Sequence, residues 1–109
     1  MATINIQPML ETVIRQGASD LHLTVDRPPT IRLHGRLRSL KTDPLTSEQT
    51  TALMKSITPE RAQQELQEEG TCDFGFAYGE EARFRVSIFR QRGNIALVLR
   101  LIPSKLLTF

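Results

Sequence analysis

The sequence predicts an α+β fold, a single antiparallel sheet with helices packed on one face. Three observations carry this. Apolar residues recur at helical spacing near the start of the chain and again after Thr46, but alternate with polar residues in two other regions. Those strand-like runs are grouped on either side of the helical middle and do not take turns with helices, which argues against a parallel sheet. The last two runs are long, alternating and separated by a short turn signal, as in a hairpin. The predicted order is α-β-β-β-α-α-β-β-β.

Ile6, Met9, Leu10, Val13 and Ile14 fall on one helical stripe, with Pro8 near its start and Gly17 at its stop, so residues 5–16 read as an amphipathic helix. Leu21, Leu23 and Val25 then alternate with Asp20, His22 and Thr24 as a half-buried strand. Asp26-Arg27-Pro28-Pro29 turns the chain into a second strand carrying Ile31 and Leu33, Gly35-Arg36 marks a tight turn, and a third strand runs from Leu37 to Leu40. Thr46-Ser47-Glu48-Gln49 has capping-box spacing and opens a helix to about Ile57. Thr58-Pro59 starts a second, strongly charged helix that ends near Gly70 and offers only Ala62 and Leu66 as an apolar seam. Phe74, Phe76 and Tyr78 alternate in a fourth strand, Gly79-Glu80 turns, and a hairpin of Arg83–Arg90 and Ile95–Ile102 completes the sheet.

At 109 residues there is room for one core and not for two. A net charge of +2 with a sequence pI near 9.1 comes without a basic run, so nucleic-acid binding is not demanded. The one cysteine, Cys72, excludes an internal disulfide, fits a reducing cytosol and reads as a small buried residue. Met1–Asn5 lack a basic region followed by an apolar stretch, and no apolar run is long enough to span a bilayer, so neither secretion nor membrane insertion is expected. The chain stops on apolar residues, as if a second domain follows.

The hairpin carries the functional signal. With Arg92-Gly93 as a two-residue loop, or with a four-residue loop over Gln91–Asn94, Arg85 lies directly opposite Arg100 on one face. Like charges opposite one another on a sheet repel, so the pair suggests a missing anion, and phosphate suits the guanidinium fork. Yet no G-x-x-x-x-G-K-[ST] loop occurs, and none of the six glycines precedes a lysine. Arginines without their own phosphate cradle are what a domain supplying charge in trans would carry. Arg83 shares their face and could equally pair with Glu80 or Glu81; Arg90 faces the other side. Asp20 and His22 share a face, but two side chains without a third make a poor metal site, and no metal is expected.

Gly17-Ala18-Ser19-Asp20-Leu21-His22-Leu23, Pro28-Pro29-x-Ile31-Arg32-x-x-Gly35, Ala82-Arg83-Phe84-Arg85-Val86-Ser87, Arg100 and Ile102-Pro103-Ser104-Lys105 resemble the N-terminal domain of the twitching-motility (type IV pilus retraction) ATPases, within the secretion ATPase superfamily. The resemblance runs over essentially the whole chain, with several separated motifs in the right order. It implies a PAS-like N-terminal domain over residues 1–105, with 106–109 beginning a linker to a RecA-like ATPase domain. It implies a homo-hexamer in which this domain packs against RecA-like domains of its own and neighbouring subunits, with ATP and Mg held between domains of the full-length protein and no cofactor in this chain. Two arginines of such domains approach the nucleotide phosphates fifteen positions apart, and Arg85 and Arg100 match both the motifs and that spacing. Ser19, Asp20, His22 and Arg32 fall where the resemblance implies an inter-subunit surface. A cytoplasmic location, peripheral to the inner membrane through the pilus machinery, follows from the same likeness.

Two departures stand out: His34 precedes Gly35 where an acidic residue is usual, and Asn94-Ile95 replaces smaller hairpin residues. The start at the first helix and the Ile-Pro-Ser-Lys segment favour the retraction motor over its extension counterpart, with the accessory retraction ATPase and related type II or IV secretion ATPases as alternatives. A free-standing PAS-like sensor would need a sizeable apolar cavity, for which few aromatics are available. A nucleic-acid-binding domain would need stacking aromatics that the arginine face lacks.

Overall fold

A computed structural model describes residues 5–79 and 82–103. Helix α1 (Gln7–Gln16) is followed by strands β1 (Asp20–Leu23), β2 (Thr30–Leu33) and β3 (Arg36–Ser39). Helices α2 (Ser47–Ile57) and α3 (Glu60–Glu69) come next, then β4 (Thr71–Tyr78), β5 (Ala82–Gln91) and β6 (Asn94–Pro103). This is the predicted order. All the strand pairs are antiparallel, and the six-stranded sheet has spatial order β3-β2-β1-β6-β5-β4. The N-terminal and C-terminal strand groups thus meet at β1 and β6.

Local chemistry accounts for the element ends. Pro8 occupies the first turn of α1, where a missing N–H costs nothing, and Gly17 closes the helix at φ 74°, with its N–H reaching back to the Ile14 carbonyl. The capping box of α2 is complete: Gln49 N–H donates to Thr46 Oγ1 at 3.1 Å, and Thr46 N–H donates to Gln49 Oε1 at 2.9 Å. The β5–β6 loop is the two-residue Arg92-Gly93, at φ 55° and 80°, the positive pair that matches strand twist in a tight hairpin.

Two boundaries differ from expectation. The β2–β3 turn is His34-Gly35, at φ 53° and 79°, so β3 begins at Arg36 and ends at Ser39, one residue earlier than its alternation suggested. A two-residue hairpin needs both central residues in the left-handed region, and only this choice puts the glycine at the second of them. Strand β1 ends at Leu23; Val25 makes an isolated parallel bridge to Leu45, because Asp26 turns away at φ 72°. The Gly79-Glu80 turn and residues 104–109, including the expected linker, lie wholly or partly outside the described residues.

One side of the sheet is dry. Leu10 and Val13 of α1, Leu53 and Met54 of α2, and Ala62 and Leu66 of α3 join Leu21, Leu23, Ile31, Phe84, Val86, Ile88, Leu97 and Leu99 in one cluster. Every strand contributes alternate residues to it or to its margin except β3, whose four residues are all exposed. With the helices covering that side, the intervening residues form a face without helices. The described helices and strands meet in this one cluster on the covered side of the sheet.

Candidate functional site: an arginine-bearing sheet face

Strand periodicity and register determine what the open face displays. Arg85 of β5 lies opposite Arg100 of β6, as the turn chemistry predicts, and Phe84, Val86 and Ile88 lie opposite Leu101, Leu99 and Leu97 on the buried side. Arg100 is in turn opposite Asp20 of β1, and Asp20 opposite Arg32 of β2. On its other flank Arg85 meets Gly75 of β4. One row across five strands therefore reads Arg32, Asp20, Arg100, Arg85, Gly75.

This row corrects one expectation. The two arginines do face each other, but Arg100 is not without an anion: its Nε lies 3.6 Å from Asp20 Oδ2. The Asp20 side chain is only 9% exposed, against 70% for Arg100. Ser19 Oγ donates to the other carboxylate oxygen, Oδ1, at 2.6 Å. Asp20 could not be assigned this role from sequence, because nothing local says that β1 pairs with β6. The weak signal was a carboxylate at the head of a strand whose neighbours are buried.

Arg32 is directed elsewhere: its Nη1 donates to the Gly35 carbonyl at 3.4 Å, across the β2–β3 turn. His22 lies one row along on the same face, opposite Thr30 and Val98, and its Nε2 is buried without a hydrogen-bond partner. Ser87, next to Arg85 on this face, donates to Asp73 Oδ1 across the β4–β5 ladder. Arg83 points to the same side, opposite Ala77 and Ile102, while Glu80 and Glu81, its alternative partners, lie outside the described residues.

The sequence Phe74-Gly75-Phe76-Ala77-Tyr78 places aromatics toward the core and the smallest residues outward. The result is a shallow groove of about 480 Å³ beside the arginines, lined by Asp73, Gly75, Ala77, Arg83, Arg85 and Ile102. A Cβ built on Gly75 would meet nothing within 4 Å, so this flank of Arg85 is open. Cationic side chains with room on one side suit an anion brought by another surface. Among the described residues no group of three or more His, Cys, Asp or Glu side chains could hold a metal ion. Nor is any helix there long and apolar enough to cross a membrane.

Two titratable groups away from this row are tied into the fold. Cys72 is 2% exposed, and burial, followed by the nearby Glu65 and Asp73 charges, raises its thiol pKa. Tyr78 donates to Glu11 Oε2 at 2.9 Å, and that bond raises its phenol pKa, tying the edge of β4 to α1.

No family model matches the chain. Individual proteins do. The chain is 39% identical over 105 residues to the type IV pilus retraction ATPase PilT of Pseudomonas aeruginosa, covering 96% of this chain and 30% of that protein. It is 30% identical over 105 residues to the type IV pilus ATPase PilU of the same organism, covering 96% and 28%. A crystal structure of the pilus retraction motor PilT with bound ADP matches with a TM-score of 0.87 at 39% identity, over 94% of this chain and 30% of that one. The chain thus spans about three-tenths of the length of these relatives.

Proposed function

From a chain homologous to the N-terminal region of the pilus retraction ATPase PilT, in the secretion ATPase superfamily, we propose that it serves as the N-terminal domain of a pilus-retraction motor, completing a nucleotide site whose cradle lies on a RecA-like domain. The observation that supports this best is the Arg85–Arg100 pair, in register on the face without helices and beside an open groove. Two neighbouring guanidiniums offer planar forks that match phosphate oxygens, and their repulsion is relieved when an anion docks between them.

The donor set fits the phosphates of ATP and does not fit a whole nucleotide site. No stretch of the sequence is a phosphate loop, so ATP and Mg would be held by the RecA-like domain, and bound ATP supplies the phosphoryl group that is cleaved. Arg85 and Arg100 would contact its phosphates, sense their charge and stabilise charge built up during transfer. Trans-acting arginines contribute up to ~10³–10⁵ in rate in enzymes that depend on them. With both arginines on one hydrogen-bonded sheet, movement of this domain against a RecA-like domain of the same or a neighbouring subunit would be coupled to nucleotide state. A homo-hexamer at the cytoplasmic base of the pilus machinery is the assembly in which such coupling produces force. Asp20, His22 and Arg32 share this end of the face, with Ser19 bonded to Asp20 beside it, and these four would border the inter-subunit contact.

The test is steady-state ATP turnover by the full-length ATPase with Arg85→Ala, Arg85→Lys, Arg100→Ala or Arg100→Lys, with thermal unfolding measured on the same variants. Turnover should fall sharply for both alanine variants and recover poorly with lysine, which lacks the two-pronged contact. Unchanged turnover in either alanine variant would return that arginine to the ordinary solvated surface.

A further inference from the structure

We propose that Asp20 is a positioning residue for Arg100: it holds the guanidinium by its Nε edge, so that the two terminal nitrogens are left to meet a phosphate. This rests on the nucleotide-contact reading of Arg100 given above.

Asp20 has two oxygens with separate duties. Oδ1 accepts from Ser19 Oγ at 2.6 Å, and Oδ2 sits 3.6 Å from Arg100 Nε. Ser19 is itself pinned between two strands, its N–H donating to the Arg32 carbonyl at 2.9 Å and its carbonyl accepting from Leu101 N–H at 2.8 Å. The carboxylate is therefore carried on backbone held from both sides, and it is 9% exposed on a face without helices. A charge that hidden needs a partner. Two arginines flank it in register, yet Arg32 bonds the Gly35 carbonyl, and among the described residues Arg100 is the cation within ion-pair distance.

The consequence is an asymmetry between the two phosphate-contact candidates. Arg85 has Gly75 on one side, Arg100 on the other, and no carboxylate within ion-pair distance among the described residues. Among the described residues, then, Arg100 has a carboxylate beside its Nε and Arg85 has none. An exposed arginine loses much rotamer freedom when it engages a ligand, and an anchor at Nε removes part of that loss beforehand while leaving the terminal fork unspent. The Asp20 charge also offsets the Arg85–Arg100 repulsion, which lets both cations stay in one row.

Four versions of the full-length ATPase decide the matter: wild type, Asp20→Asn, Arg100→Ala and the double variant. Asparagine keeps the shape of Asp20 and an oxygen for Ser19 but drops the charge. Asp20→Asn should lower kcat by about 10- to 100-fold, with KM for ATP moving less, because a misplaced group costs most in the transition state. In the Arg100→Ala background the same change should add nothing, since its effect passes through Arg100. Additive losses, or normal kcat in Asp20→Asn when Arg100→Ala is impaired, would overturn the positioning role alone. Normal turnover in Arg100→Ala would overturn the nucleotide reading and this inference with it. If Asp20→Asn fails to fold, side-chain NMR of the wild-type chain still decides: the Arg100 Nε–H should exchange with water more slowly than that of Arg85, and equal rates would refute the anchor.

Discussion

Leu99 and Arg100 are neighbours in sequence that the sheet sends to opposite environments, and replacing each with alanine tests the whole assignment of faces. Leu99 is 0% exposed and lies opposite Leu21 on one side and Val86 on the other, in two strands that cannot close in on a gap. Removing three carbons at ~0.8 kcal/mol each loses about 2.4 kcal/mol of transfer energy. The unfilled cavity adds to this, which places Leu99→Ala in the upper part of the ~2–5 kcal/mol range for such truncations. Arg100→Ala removes a 70% exposed side chain and an ion pair of the kind worth at most ~1 kcal/mol, with a further cost for leaving the buried Asp20 without its cation that is limited because Ser19 Oγ still donates to Oδ1 and water can enter where Arg100 stood. Urea unfolding followed by circular dichroism reads both. With a slope of ~1–3 kcal/mol per molar, the midpoint for Leu99→Ala should drop by at least about 1 M, beyond that for Arg100→Ala. A cost below about 0.5 kcal/mol for Leu99→Ala, the size of an ordinary surface change, or a larger cost for Arg100→Ala, would mean the faces are reversed.

Thr46→Ala should cost ~0.5–2 kcal/mol by opening the capping box of α2, read as a fall in melting temperature. An unchanged melting temperature would show that the cap is not formed in solution. Cys72 should resist alkylation at neutral pH in the folded chain and react on unfolding, because it is buried and its thiol pKa is raised. Since the folded pKa lies above the unfolded one, the associated stability is intact below the ordinary thiol value of 9.0 and is lost as pH rises through the folded value; a chain that gains stability over that interval would contradict the burial. The chain alone should hydrolyse no ATP and bind it only weakly, with binding weakened further by salt, since the arginines act without a main-chain cradle; turnover by purified chain that is lost with Arg85→Ala would reveal a site within it.

Much of this architecture is local in origin. The alternation of Phe84, Val86 and Ile88 with Arg83, Arg85 and Ser87, together with a loop that Arg92-Gly93 can close at positive φ, determines the β5–β6 register, and with it the meeting of Arg85 and Arg100. Capping chemistry likewise determines α2, and the Ala62–Leu66 seam is enough to orient α3. Where local chemistry was ambiguous, at His34-Gly35-Arg36, turn geometry decided the outcome by one residue. What only the tertiary structure decided is which strands from the two ends of the chain meet. Asp20 and Arg100 are eighty positions apart, and each strand edge was chemically able to pair with several others. The β1–β6 pairing is selected by burying Leu21 and Leu23 with Leu97 and Leu99 in the core that the helices cover, a free-energy gain of the assembled core that no short stretch of sequence encodes. That is why the Arg85–Arg100 pairing was legible beforehand, whereas the Asp20 carboxylate beside Arg100 was not.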